Sequence, residues 1–558
     1  MTEYIRLKEA NCKNCYKCIR HCPVKSISFS ENQAHIISNE CILCGQCFLV
    51  CPQNAKVIRD DSKKAKALIS DGEKVVVSLA PSFVASFPNV GIKGMENALK
   101  KLGFFAVEET ALGATIVKNQ YDALVEKGES EVIISSCCPT VNLMIQKHFP
   151  DVLPYLAPVI SPMVAHCLDI KHRYIGAKTV FIGPCISKKV EGDDFSEDVD
   201  CVLTFEELSS WLRAEGVEPV PAKEEQDFGR ARIFPTAGGI LKSMFCNSED
   251  YSYISVDGLE NCISALRDLT ASSPSKCFIE MSACAGSCIG GPVAAGTRRA
   301  PLKDYISVER YTKTEDFPVD MPSEKEISRD FGSLVESQTY PNELQLDEIL
   351  RKMGKRLPSD ELNCGSCGYN SCREKAIAVF QGKADLSMCT PFLRDKAETF
   401  SNNILKNSPN GIIALGDKLD VQQINTSALN LLNIKQASDI IGANVACILD
   451  PLSFTEVLRT GRPLRNKRVY LAEYRKYVEQ SIDLDSEYRM LLCILRDVTE
   501  EETERQKKEE ISLKTIDIAD KVIKKQMRVV QDIASLLGET TAETKVALTK
   551  LKESLEDE

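Results

Sequence analysis

The sequence predicts a multidomain protein that combines α+β and α/β parts, and three observations carry that prediction. At 558 residues the chain is too long for one hydrophobic core, so roughly three to five domains are expected. Many of its 24 cysteines fall in short-spaced clusters, near the N-terminus and again after residue 360. Between those clusters, short runs of Val, Ile and Phe alternate with helical pattern, which is the signature of a mainly parallel sheet. Six segments follow: 1–60, 70–322, a charged helical linker at 323–357 with Pro341 and Pro358 as breaks, 358–395, 400–500 and 501–558.

Composition narrows the function classes. A hydrophobic share of 43% and a charged share of 27% are those of ordinary globular protein. Net charge is −11 and no basic stretch is sustained, which argues against nucleic acid as a partner. No run approaches ~18 apolar residues. The start Met1-Thr2-Glu3-Tyr4 lacks the basic-then-apolar pattern of an export signal. A cytoplasmic protein without membrane attachment is expected. In that reducing compartment thiols serve as soft metal ligands rather than disulfides.

The first segment carries the strongest motif. Cys12, Cys15, Cys18 and Cys22 precede Pro23, and Cys41, Cys44, Cys47 and Cys51 precede Pro52. Both runs have the spacing of bacterial two-cluster ferredoxins, in which the fourth cysteine of each run ligates the other cluster. The expected sets are Cys12, Cys15, Cys18 with Cys51, and Cys41, Cys44, Cys47 with Cys22. Zinc rarely uses this run twice, so two 4Fe–4S clusters and electron transfer are the expectation.

In the second segment four strands are predicted: Val75–Leu79, Val132–Ile134, Thr179–Ile182 and Phe278–Met281. Ligands of such sheets sit beyond the carboxyl ends of the strands. There the chain places Pro81-Ser82, Cys137-Cys138-Pro139, Cys185 and Cys284-x3-Cys288. A lone buried cysteine is an ordinary packed thiol; several at one sheet edge argue for a cluster.

Three loops make this segment similar to the catalytic domain of iron–iron (FeFe) hydrogenases. They are Ser135-Ser136-Cys137-Cys138-Pro139, Gly183-Pro184-Cys185-x2-Lys188-x2-Glu191, and Glu280-Met281-Ser282-Ala283-Cys284-x3-Cys288-x-Gly290-Gly291-Pro292. Thr236-Ala237-Gly238-Gly239 resembles a further glycine turn of that family. The resemblance covers about residues 1–320. It implies an H-cluster: a 4Fe–4S cubane on Cys138, Cys185, Cys284 and Cys288, with Cys288 bridging to a two-iron subsite bearing carbonyl, cyanide and a dithiolate. It further implies that Lys188 and Ser82 hydrogen-bond the cyanides and that Cys137 exchanges protons with the dithiolate amine. On composition alone Lys188 also reads as a surface lysine.

The chain departs from efficient members of that family. Gly183 and Ser282 stand at methionine positions, and Val141 at a common tryptophan position. The acidic proton-path helix corresponds to Lys118-Asn119-Gln120-Tyr121-Asp122, where only Asp122 is acidic. A proton wire without carboxylates predicts slow turnover.

Cys364, Cys367, Cys372 and Cys389 resemble a small 4Fe–4S module, with four-thiolate zinc as the open alternative. Cys167, Cys201, Cys246, Cys262, Cys277, Cys447 and Cys493 have no cluster spacing and read as ordinary reduced thiols.

Residues 412–415 and 421–424 read as a hairpin, followed by short helices and strands near 469–474, 477–482 and 488–495. That order resembles a PAS domain, and none of the five histidines lies in it, which excludes haem ligated there by histidine. In the tail Ile516, Ile523, Val530 and Leu537 repeat every seven residues. Gly538 and a Thr540-x-x-Glu543 capping box then predict a break into a helical hairpin. The hairpin resembles the dimerisation element of histidine kinases but lacks a phosphoacceptor histidine, and no ATP-binding domain follows.

Together these resemblances imply an oxygen-sensitive, anaerobic sensory hydrogenase. Its partners would be dihydrogen and protons, a ferredoxin or similar electron carrier, and a separate kinase or phosphatase. A homodimer would form through the PAS domain and the helical tail. A metabolic ferredoxin-linked hydrogenase is the first alternative, supported by Cys137. A non-catalytic iron–sulfur assembly or scaffold protein is the second, opposed by Cys288 and Lys188.

Overall fold

In the computed structural model, which describes residues 4–222, 227–245, 248–271, 275–294 and 300–556, the chain divides into one unit ending at Leu393 and a second beginning at Arg394. The expected ferredoxin, central, linker and module segments thus fold as a single compact unit.

The first unit starts with two short antiparallel pairs, β1 (Ile5–Leu7) with β4 (Lys56–Ile58) and β2 (Ile27–Ser30) with β3 (Gln33–Ile36). Each cysteine run winds into a one-turn helix, Lys17–Arg20 and Gln46–Leu49, around Ile19, Ile27 and Phe29 of a small core.

The four strands read from the central sequence all form, but in two sheets rather than one. β5 (Val75–Leu79) and β8 (Lys178–Gly183) join β6 (Ala106–Glu109) and β9 (Cys201–Thr204) in the parallel order β6-β5-β8-β9. β7 (Val132–Ile134) and β11 (Cys277–Ser282) join β10 (Ser252–Asp257) in the parallel order β10-β11-β7. Every residue of β5, β7 and β11 is buried, as strands covered on both faces require. Apolar runs therefore announce the strands without saying which sheet each joins. β6 ends in Glu108-Glu109 and β10 is half exposed, so neither carries an apolar signal.

A long helix, Ala111–Lys127, packs against the Pro162–Arg173 helix. Gly113 permits this approach, because a Cβ there would run into the Pro162 carbonyl and lie 2.7 Å from His166 Cβ. Buried polar links fix the same pair: Ser78 Oγ sits 2.8 Å from both His166 Nδ1 and Thr110 Oγ1. Burial works against the Glu108 carboxylate, but hydrogen bonds from His166 and Arg173 hold it well below its ordinary range.

The 323–357 segment is less helical than its charge pattern predicts. Only Glu324–Ile327 and Glu343–Lys352 are helical, and the stretch between is pinned by its backbone, Arg329 N–H to Pro158 C=O and Leu334 N–H to Gln146 C=O. Glu343–Lys352 packs Leu346 and Leu350 against Ala376 of the Cys372–Phe380 helix, which completes the module.

The second unit is a five-stranded antiparallel PAS-like sheet of β12 (Gly411–Leu415), β13 (Val421–Ile424), β14 (Leu464–Leu471), β15 (Lys476–Asp485) and β16 (Met490–Asp497). Its order is β13-β12-β16-β15-β14. Helices Thr426–Leu431 and Leu452–Thr460 cover the core of Ile413, Leu415, Phe454 and Ile482.

The expected hairpin in the tail does not form: Thr499–Glu556 is one continuous helix. A helix-interior glycine costs only about 1 kcal/mol relative to alanine. Leu536, Leu537 and Ala542 near Gly538 are strong helix formers, and Thr540 Oγ1 donates back to the Leu536 carbonyl at 2.8 Å instead of capping a new helix. Among the described residues no helix is long and apolar enough to cross a membrane.

The packing at Gly113 gives a direct test. Gly113→Ala should lower stability by about 1–3 kcal/mol through overpacking, seen as a lower urea midpoint of the anaerobic protein. Gly332→Ala, where a Cβ meets nothing within 4 Å, should leave the midpoint in place.

Candidate metal centre

The carboxyl ends of β5, β7, β8 and β11 open onto one cavity of about 100 Å³. Ser82 follows β5, Cys137 and Cys138 follow β7, Cys185 and Lys188 follow β8, and Cys288 follows β11; all six line it. Cys284 joins the group: burial first, then the nearby Cys185, Cys138 and Cys288, hold its thiol well above the ordinary value. Cys288 lines the cavity, and burial, with Cys138 and Cys185 adding to it, pushes its thiol up to about 12. Four thiols gathered at one buried cavity call for a cation to hold them, and soft thiolates favour iron–sulfur or zinc.

The polar groups around these thiols are pre-set. The Ser82 hydroxyl is buried and finds no hydrogen-bond partner among the described residues, so it is available to a group in the cavity. Lys188 is buried, which removes the surface reading. Its ammonium donates to Glu191 Oε2 at 2.6 Å and to the Cys137 carbonyl at 3.4 Å, leaving the third of its three donors. Glu191 in turn accepts from Ser161 at 2.8 Å and Arg329 at 3.0 Å. Burial pushes the Glu280 carboxyl up to about 7 against the pull of backbone N–H groups from Leu241 and the Gly238-Gly239 turn. The glycine turn thus closes the cavity by wrapping that side chain.

The departures acquire a physical meaning. At Gly183 a Cβ would lie 2.7 Å from the Phe181 ring, so the phenyl group fills the space that a longer side chain would take. Ser282 lines the cavity and Val141 is fully buried. Asp122, the one acid of the Lys118–Asp122 stretch, pairs with buried Lys118 at 3.8 Å, and Lys118 pairs with Asp316 at 2.7 Å.

Sequence reasoning missed the role of Tyr121. Its hydroxyl lies 3.2 Å from Cys137 Sγ and 3.1 Å from Ser136 Oγ, and accepts the Ser136 N–H at 2.8 Å. Ser136 Oγ donates to the Val159 carbonyl at 2.7 Å. Burial pushes the Cys137 thiol up to about 12, with the Tyr121 hydrogen bond and Lys188 opposing. The pattern Tyr121…Cys137 has no sequence signature, because the partners lie on a helix and a strand end 16 residues apart.

Two further groups of cysteines line cavities of their own. Cys22 joins Cys41, Cys44 and Cys47 around one small cavity, the crossed set that the spacing predicts. Burial raises the Cys18 thiol, with Cys12 and Cys15 adding to it, while Cys51 accepts the Ala55 N–H at 3.3 Å in the loop before β4. Cys364, Cys367, Cys372 and Cys389 line a third cavity. Cys167, Cys201, Cys262, Cys277 and Cys493 are buried packed thiols and Cys447 is exposed; Cys246 lies outside the described residues.

Comparison with known proteins agrees with this geometry. Residues 73–292 match the family model "Iron only hydrogenase large subunit, C-terminal domain", residues 4–69 a "4Fe-4S dicluster domain" and residues 360–391 a "Putative Fe-S cluster". The NADP-reducing hydrogenase subunit HndD of Solidesulfovibrio fructosivorans is 29% identical over 257 residues, 39% of this chain and 43% of its own. The cytosolic Fe-S cluster assembly factor NAR1 of Scheffersomyces stipitis is 28% identical over 216 residues, 32% of this chain and 39% of its own. The chain therefore spans less than half the length of either relative.

Among solved structures, a single-residue variant of the [FeFe]-hydrogenase HydA1 of Chlamydomonas reinhardtii is similar with a TM-score of 0.39. It shares 17% identity and covers 50% of this chain and 100% of that one. The PAS domain of an HTR-like protein from Haloarcula marismortui covers 19% of this chain and 94% of that one at 15% identity and a TM-score of 0.16. With its three loops converging on one cavity and that match, residues 73–292 form an iron-only hydrogenase large-subunit domain, in a chain that also carries a dicluster domain, an added iron–sulfur segment and a PAS-like sheet.

Proposed function

We propose that the chain is a sensory hydrogenase that binds dihydrogen, or turns it over slowly, and signals through its PAS-like domain to a separate kinase or phosphatase. Cys138, Cys185, Cys284 and Cys288 would hold a 4Fe–4S cubane bridged to a two-iron subsite. When bound, that group supplies the site where dihydrogen is split into protons and electrons. Ser82, with its unsatisfied hydroxyl, and Lys188, with a donor to spare, suit an anionic cyanide ligand, since a buried anion needs hydrogen-bond donors. Cys137 is the proton carrier nearest the cavity.

The observation that carries the sensory reading is where the proton goes next. From Cys137 the hydrogen-bonded chain runs to Tyr121, then Ser136, and stops at the carbonyl of Val159. A backbone carbonyl has no proton to pass on. Asp122 and Lys118, which could continue an outward path, are engaged with each other and with Asp316. A site that splits dihydrogen but releases protons slowly reports on its ligand more than it produces current. The metabolic alternative keeps the support of the Cys137 thiol, and turnover separates the two.

Output falls to the tail. Ile516, Ile523, Val530 and Leu537 are each more than half exposed along the Thr499–Glu556 helix. An apolar stripe of heptad spacing on a helix this long is satisfied by a second helix of the same kind. The chain is read as a homodimer through this element.

Three outcomes are expected. Infrared spectra of the anaerobic protein, matured with the two-iron cofactor, should show carbonyl and cyanide bands that differ under hydrogen and argon; no bands at all would favour a scaffold. Tyr121→Glu, which puts a proton acceptor beside Cys137, should raise hydrogen–deuterium exchange by up to about 10²-fold. Cys137→Ala should abolish that gain, and an unchanged rate in Tyr121→Glu would remove the capped-path argument. By light scattering the full chain should be a dimer, and Ile523→Asp with Val530→Asp should leave it monomeric.

A further inference from the structure

The Cys364–Cys389 module differs from the central cavity in how its cations are held. Lys188 beside the central cavity is neutralised by Glu191. In the module, Lys355 and Lys375 are both buried and line the cavity of the four cysteines. The Lys375 ammonium donates to the Asp385 carbonyl and faces Cys367 and Cys389; Lys355 faces Cys364 and Cys372. Among the described residues no carboxylate lies within ion-pairing distance of either lysine. Tyr369 adds an independent observation. It is buried, lines the same cavity, and its hydroxyl has no hydrogen-bond partner among the described residues. Two buried cations without a carboxylate in ion-pairing range and one unspent donor thus line the cavity of the four thiols.

The module packs against the dicluster domain, through the Phe29 N–H to the Lys383 carbonyl, through the Lys383–Glu40 ion pair and through a close approach at Gly368. Gly368, at φ +94°, lies so close to the Lys17–Arg20 helix that a Cβ would be 2.9 Å from Ile19 Cγ2 and 3.1 Å from Arg20 N. Lys25 donates to the carbonyls of Gly368 at 2.9 Å and Arg20 at 3.2 Å and stands between Cys22 and Cys367. Cys44, from the set that holds Cys22, is near Cys284 of the central cavity. The Cys22–Cys41–Cys44–Cys47 set therefore has the central cubane site on one side and the module on the other.

A four-thiolate 4Fe–4S cluster carries a net charge of about −2 when oxidised and about −3 when reduced, and surrounding charge and hydrogen bonds set its potential. Unpaired buried cations favour the more negative, reduced form. We propose that the module is the chain's terminal electron store: a 4Fe–4S cluster held at a higher potential than the two dicluster-domain clusters by Lys355, Lys375 and Tyr369. It is filled by single electrons from the Cys22–Cys41–Cys44–Cys47 cluster, which is oxidised by one electron as the module is reduced by one; no bond forms or breaks. The inference rests on the iron–sulfur reading of the module and not on hydrogen turnover.

The test uses the full chain, reconstituted anaerobically with iron and sulfide and without the two-iron subsite. It is titrated with dithionite through redox mediators and followed by electron paramagnetic resonance. The signal that appears first, at the highest potential, should be absent from Cys389→Ala. Lys375→Met and the near-isosteric Tyr369→Phe should each move that signal to lower potential and leave the others in place. The proposal is overturned if the first signal survives in Cys389→Ala, if neither variant shifts it, or if the module holds zinc. Tyr369→Phe alone decides the matter should Lys375→Met fail to fold. No dihydrogen is used, so this result and the infrared result can fail separately.

Discussion

Everything in the first unit depends on keeping groups of thiols close together where water is scarce. Burial and mutual repulsion raise the thiols of Cys138, Cys284 and Cys288 above their ordinary values, so the bare arrangement opposes ionisation. Metal binding reverses that, because a bound cation offsets both the desolvation and the repulsion. The scaffold must therefore be rigid before the metal arrives, and the architecture supplies this. Each contributing loop leaves the end of a strand buried on both faces, and Glu280 wraps the glycine turn over the far wall. The same constraint explains where the lysines lie. Lys56 sits buried beside Cys18 and Cys47, Lys188 beside Cys137 and Cys288, and Lys375 beside Cys367 and Cys389.

How far this was legible in the sequence follows from which interactions are local. Cysteine spacing is local, so the crossed ferredoxin set and the module quartet were readable and assemble as expected. Strands buried on both faces are also local signals, and β5, β7, β8 and β11 fall where Val and Ile run together. Sheet membership is not local, and one predicted sheet became two. Edge strands such as β10 escaped because half of their residues face solvent. The tail failed for a different reason. Gly538 and Thr540 carry the residue types of a helix break, but a penalty of about 1 kcal/mol is small against a long run of good helix formers. For the central site, loop motifs located the thiols, Ser82 and Lys188, whereas the Tyr121–Cys137 contact depends on how helix Ala111–Lys127 rotates against the sheet.

Tyr121 shows how a family scaffold can be retuned without touching the ligands. A tyrosine hydroxyl beside the thiol preserves the hydrogen bond that orients Cys137, yet the phenol is fully buried and its own pKa is held well above the ordinary value by burial, then by Cys137. It can position the thiol far better than it can carry charge away from it. The edge-to-face contact with Phe278 at 5.4 Å fixes the ring, so the position is structural on one side and chemical on the other. Phe181, leaning into the space beside Gly183, acts in the same sense by replacing a flexible side chain with a rigid one.

On the proposed reading, a slow proton exit and a deep electron store would work in the same direction. If protons left freely, electrons reaching the module would be returned to the cavity whenever external conditions changed, and the module would hold little memory of the ligand. If the module sat at low potential, a capped proton path would simply give a poor enzyme. On that reading they would together make the occupancy of the module depend on how much dihydrogen has been met rather than on how fast it is consumed. Such a quantity is what a signalling domain can use, since a buried cluster gains a full unit of charge among Lys355, Lys375 and Tyr369 each time it is reduced. The hydrogen bonds those three groups offer tighten with that charge. On the proposed reading a reduced module would differ mechanically from an oxidised one, and the Cys372–Phe380 helix, which carries Lys375 and one of the four thiols, would be the element to register the difference.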